Sequence, residues 1–190
     1  MAEEAQERVE AIAKRYSWTD HFGAQHPLLT ADEVLNLKIR RGTLNQQELE
    51  IMRDHVRVSR DMLDQLNFPK HLQRTPQIAG QHHERMGGDG YPDQLAGDEI
   101  CFGARILAIA DVFEALTASD RPYKETKTLS QALHIMGSMA EEGHFDKRLF
   151  KVFIQERVYL RYAHEHMDPE LIDEVDESAM PGMDQQLPPS

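Results

Sequence analysis

Four side chains in this 190-residue chain have the types that do chemistry together: His55, His82, His83 and Asp111. The two adjacent histidines open the stretch "HHERMGGDGYP", residues 82–92, just before a glycine-rich turn. Imidazole nitrogens and a carboxylate oxygen together suit Fe, Mn or Zn better than Ca. Helical bundles build metal sites from such groups projected by several helices. A bare Asp on an apolar helix stripe is costly unless it is paired or ligates a cation. Type and spacing alone leave plainer readings open. His55 could be a core histidine bonded to a backbone carbonyl, Asp111 could pair with a neighbouring Arg, and His82 and His83 could be surface residues.

The elements that must position these residues read as helices. Residues 1–16 form a polar helix with Val9, Ile12, Ala13 and Tyr16 on one stripe. "SWTDHFGAQHPLLT", with Gly23 and Pro27, reads as a connection. Thr30 with Glu33, and Asn45 with Glu48, have the spacing of capping boxes that start two helices. On the second, Leu49, Met52, Val56, Ser59, Met62, Leu63 and Leu66 form an inner stripe, and His55 falls on it, pointing inward. "PQIAGQHHERM" is a shorter helix with Pro76 in its first turn. "FGARILAIADVFEALTAS" is a strong helix on which Asp111 is the only charge of the inner stripe. "TLSQALHIMGSMAEE" and "DKRLFKVFIQERVYLRYAHEH" predict two more. No convincing strand is predicted, so the fold class is all-α. Residues 1–29 read as an N-terminal helix and connection, 30–167 as one helical domain, and 168–190 as an acidic tail, disordered from about Ala179.

Composition narrows the function. The net charge of −12 disfavours a nucleic-acid duplex and an anionic membrane as partners. A local cluster of cations can still hold a small anion, since charges act over roughly 8 Å at physiological salt. No apolar run approaches the ~18–20 residues of a membrane span. The acidic start "MAEEAQERVE" is not a secretory signal. Cys101 is the single cysteine, which excludes an internal disulfide and a Cys-rich zinc site and fits a reducing cytoplasm.

"HHERMGGDGYP" closely resembles the signature of the HD-GYP family, and "ARILAIADVFEALTASDRPYK" resembles its second signature. "RGTLNQQELEIMRDHVRVSRDML" is similar to the family's third His-bearing helix, and "GHFDKRLFKVF" to its C-terminal helix start. The resemblance covers about residues 30–157. It implies an HD-type helical bundle that hydrolyses cyclic di-GMP or a related cyclic dinucleotide with a divalent metal, Fe or Mn, as one or two ions. It implies His55, His82, His83 and Asp111 as metal ligands, with Asp111, His82 and His83 carrying the chemistry. Arg121 and Lys124 match the cations that hold substrate phosphate, as a planar fork and a point charge. Tyr91, of the Gly-Tyr-Pro turn beside the site, joins them as a substrate-binding candidate, and the turn is a surface for a signalling-protein partner; a homodimer is also compatible. Glu84 and Arg85 read as an ion pair that braces the His-bearing helix.

Two departures stand out. The chain contains no His-Asp dipeptide, and ungapped extension puts Gly23 and Ala24 where the family's pair belongs and Pro27 where its Lys belongs. Gly87 stands where the loop signature has Asp. In the family the lost Asp bridges two metals, setting the roughly 3.5–4 Å separation that two-metal chemistry uses. Three His and one Asp can still hold one ion. The alternative to an enzyme is therefore a catalytically inactive domain that binds cyclic di-GMP or docks another signalling protein.

Overall fold

The computed structural model describes residues 2–40, 42–118 and 127–183. The chain forms two compact units, residues 1–54 and 55–190. Its helices are α1 (Glu3–Arg15), α2 (Ala31–Leu37), α3 (Gln46–Asp64), α4 (Thr75–Gln81), α5 (Phe102–Thr117), α6 (Leu129–Glu141), α7 (Lys147–Gln155) and α8 (Val158–His166). The all-α class holds, and among the described residues no helix is long and apolar enough to cross a membrane.

In the first unit, α1 carries glutamates in its first turn and Lys14 and Arg15 in its last, matched to the helix dipole. Glu10 of α1 pairs with Lys38. Thr30 and Glu33 make the predicted capping box at α2. The predicted connection contains two short antiparallel strands, β1 (Ser17–Thr19) and β2 (Gln25–Pro27), with Trp18 opposite His26. The Asp20 carboxylate makes this turn by accepting from the Phe22 and Ala24 N–H groups, both at 2.9 Å. Gly23 supplies the left-handed residue at φ +87°. His26 closes the hairpin by stacking on Trp18 at 4.8 Å and bonding Asp20 at 3.0 Å. Gly23 and Ala24, the positions aligned with the missing His-Asp pair, therefore lie in a hairpin turn.

In the second unit the core lies among α5, α6, α7 and α8, around Phe113, Leu133, Met136, Phe150, Ile154 and Tyr159. One helix is predicted over residues 146–166; the structure breaks it at Arg157, which adopts φ 49° and ψ 37°. The break has a packing reason. Phe150 and Ile154 are four apart, as are Tyr159, Ala163 and Met167, and all five are buried. The step between the two sets is five residues, so an unbroken helix would turn Tyr159 about 140° away from Ile154.

The start of the tail packs against the rest of the second unit. Met180 is buried in the core. Asp173 accepts from the Ser130 amide and hydroxyl at 2.8 and 2.6 Å, and Tyr159 donates to Glu177 at 2.7 Å. A Cβ on Gly137 of α6 would lie 2.5 Å from the Pro181 carbonyl oxygen, so the bare glycine is what lets this segment approach.

Candidate metal centre

The C-terminal part of α3, the end of α4 and the turn after it bring the three predicted histidines together. His55 is on α3, His82 is the C-cap of α4, and His83 is in the turn that follows. One ring nitrogen from each lies within 4.8 Å of the other two. The rings of His55 and His83 meet edge-on at 5.3 Å, and those of His82 and His83 are 4.1 Å apart.

The donor chemistry fits a cation. The His82 Nδ1 lies 2.7 Å from the Ala79 carbonyl oxygen, which can only accept, so Nδ1 carries the proton and Nε2 the lone pair. A second-neighbour bond of this kind orients metal-ligating histidines. Burial pushes the His83 imidazole down to about 4; the neighbouring His82 and His55 add to this, and the Asp111 carboxylate opposes it. His83 is therefore neutral at physiological pH and offers a lone pair. Three convergent imidazoles, two with defined lone pairs, suit a divalent first-row metal.

The sequence reading turns His55 inward, and the structure corrects it. His55 is exposed, and of the predicted α3 stripe only Val56 is buried; Met52, Met62 and Leu66 are 46%, 66% and 58% exposed. An apolar period marks a helix face without saying what covers it. Asp111 is half-buried on α5 and lies outside the 4.8 Å triad, while its charge acts on His83. Arg121 and Lys124 lie outside the described residues.

The glycine-rich turn is folded back onto the histidines. Tyr91 stacks on His83 at 4.8 Å with 24° between the rings, and its amide donates to the His83 carbonyl at 3.2 Å. Gly90 permits this by lacking a Cβ, which would sit 2.5 Å from both the Glu84 Cα and the Arg85 nitrogen. Glu84 does not pair with Arg85. It is 2% exposed, and its two oxygens accept from the Asp93 and Leu95 amides at 2.7 and 2.9 Å. Arg85 instead pairs with Asp89 at 2.8 Å, one helical turn's spacing away. The expected ion pair is replaced by two bonds from Glu84 to the backbone at Asp93 and Leu95.

One residue near the site was missed. His144 acts electrostatically on His83, and burial followed by the Arg85 guanidinium lowers its own imidazole to about 4. Its only signal in sequence is its place before Phe145 and Asp146 in "GHFDKRLF", which carries no periodicity.

Helical layers that present a cluster of imidazoles with a carboxylate nearby define a candidate metal-site domain of bundle type. The HD domain model matches residues 24–149. The chain belongs to the HD domain family, and its His-His-Glu and Gly-Tyr-Pro segments are of the HD-GYP type. It is 38% identical over 130 residues to the cyclic di-GMP phosphodiesterase response regulator RpfG of Xanthomonas campestris pv. campestris (strain 8004), covering 68% of this chain and 32% of that protein. It is 38% identical over 128 residues to the 3'3'-cGAMP-specific phosphodiesterase 1 of Vibrio cholerae serotype O1, covering 67% and 28%. A cyclic di-GMP phosphodiesterase of Thermotoga maritima is 39% identical over 102 residues, covering 54% and 27%. The chain thus matches about three tenths of the length of these curated relatives.

Proposed function

We propose that this chain is a metal-dependent phosphohydrolase domain of HD-GYP type that cleaves cyclic di-GMP or a related cyclic dinucleotide. The convergence of His55, His82 and His83 within 4.8 Å carries the reading. The activities named for its relatives support the substrate class. His55, His82, His83 and Asp111 would hold the metal, with Fe or Mn the fitting choices. When bound, such an ion supplies Lewis acidity toward a phosphodiester and makes water a better nucleophile at neutral pH.

The chain's own residues do the rest. The Ala79 carbonyl holds the His82 ring in one tautomer. Tyr91 and Glu84 hold His83 and the turn behind it. Arg121 and Lys124 would neutralise phosphate oxygens, overcoming locally the repulsion of a −12 chain for a dianionic substrate. The face at the Gly-Tyr-Pro turn serves a signalling partner or a second copy, and the working compartment is the cytoplasm.

A second reading is favoured by one observation. Gly23 and Ala24, which align with the family's His-Asp pair, sit in the hairpin turn and bring neither an imidazole nor a carboxylate. On that reading the domain binds a cyclic dinucleotide, or docks a partner, with slow or no turnover. A generic diester separates metal chemistry from nucleotide recognition. The purified chain loaded with Mn(II) should hydrolyse bis(p-nitrophenyl) phosphate. Asp111→Ala should lower both metal content and rate, whereas Arg121→Ala should keep the metal. Full metal content in Asp111→Ala would remove Asp111 from the ligand set.

A further inference from the structure

The triad depends on where α3 lies, yet α3 is weakly held by apolar packing: Val56 is its single buried side chain. What stands one turn and a half beyond His55 is Arg60. Its guanidinium Nη1 donates to the Asp93 carboxylate at 2.7 Å. Its aliphatic stem covers Gly80 of α4, where an added Cβ would lie 2.6 Å from the Arg60 Cδ. Asp93 is itself anchored, since its amide donates to the buried Glu84 carboxylate at 2.7 Å. Glu84 follows His83 directly in the chain.

We propose that Arg60, Asp93 and Glu84 form a strap that ties the His55 helix to the turn bearing His82 and His83, so that Arg60 and Asp93 are positioning residues for the metal centre. The inference rests on the metal-site reading above. Its physical basis is geometric. The strap joins the two segments that carry the ligands, and it does so through side chains that none of the predicted ligand roles uses. Arg60 and Asp93 are partly exposed, at 30% and 42% of the side chain, so the pair adds little to global stability. Its effect is on the distance between ligands, to which metal affinity is sensitive.

The test uses the whole chain, with Mn(II) as the probe. Arg60→Met keeps the stem over Gly80 and removes the charge; Asp93→Asn removes the charge at the other end. Each should weaken Mn(II) binding about fivefold while shifting the thermal midpoint little, and Arg60→Lys should retain most of the affinity. The double variant should be no worse than either single one, because both break one contact. Wild-type affinity in both single variants, or losses that multiply in the double variant, would overturn the strap. Amide exchange in residues 55–64 is measured beside this without metal. It should quicken in Asp93→Asn, and unchanged protection would overturn the strap as well. Failure of the wild-type chain to bind Mn(II) would sink the metal-site reading instead, with amide exchange still deciding whether the strap holds α3.

Discussion

His83 illustrates how a residue's surroundings fit it to be a candidate ligand. Burial among His82, His55 and His144 makes its protonated form unfavourable, and the Asp111 carboxylate compensates only in part. The same holds for His144 beside Arg85. Both folded-state values lie near 4, below the ordinary histidine value of 6.5. Between those values the unfolded chain binds protons that the folded chain does not, so folding stability rises with pH there. The stabilising contribution is complete above about 6.5 and is lost as pH falls toward 4. Chelator-treated protein should therefore lose thermal midpoint steadily from pH 6.5 to 4.5, and His83→Asn should flatten that slope. A midpoint independent of pH across this range would contradict the assignment of a neutral, buried His83. The candidate ligand types are legible from "HHERMGGDGYP", because adjacent histidines before a glycine turn are unusual. His144 was not legible, since its role depends on a tertiary approach that leaves no period.

At the scale of elements, the turn after α4 decides whether the histidines stay in register. Gly90 fits there because its Cα passes against the backbone of Glu84 and Arg85. Gly90→Ala should cost at least about 1–3 kcal/mol by overpacking, and it should weaken metal binding by displacing Tyr91 from His83. Retention of both stability and metal affinity, measured by thermal melts and titration, would show the turn to be dispensable. Helix starts were readable from Thr30 with Glu33 and from Asn45 with Glu48, because capping uses adjacent residues; Asn45 and Glu48 exchange bonds of 2.8 and 3.0 Å as expected. The burial of α3 was not readable. An apolar stripe shows which residues share a face, while the neighbouring element that covers them is a long-range property. The break at Arg157 has the same origin, since a non-glycine residue in the left-handed region gives no local warning.

For the whole molecule, the two units differ in what they carry. The second carries the buried core and the histidine triad; in the first, Asn45 is the only buried residue among those described. The hairpin of the first unit occupies the positions at which the family's His-Asp pair is expected. The histidine triad is therefore a candidate for one part of an HD-type centre, and the sequence holds no His-Asp dipeptide for the other. Three imidazoles and a carboxylate can still activate one ion, and each 1.4 kcal/mol of barrier lowering lost with the second ion would cost about tenfold in rate. The most direct measurement is a product assay with cyclic di-GMP: the whole chain, purified without oxygen, is incubated with Mn(II) or Fe(II), and the nucleotides are separated. Slow formation of the linear dinucleotide or GMP is expected, abolished in His82→Ala. No product from metal-loaded protein that demonstrably binds the nucleotide would contradict it, and would make the domain a receptor rather than a hydrolase.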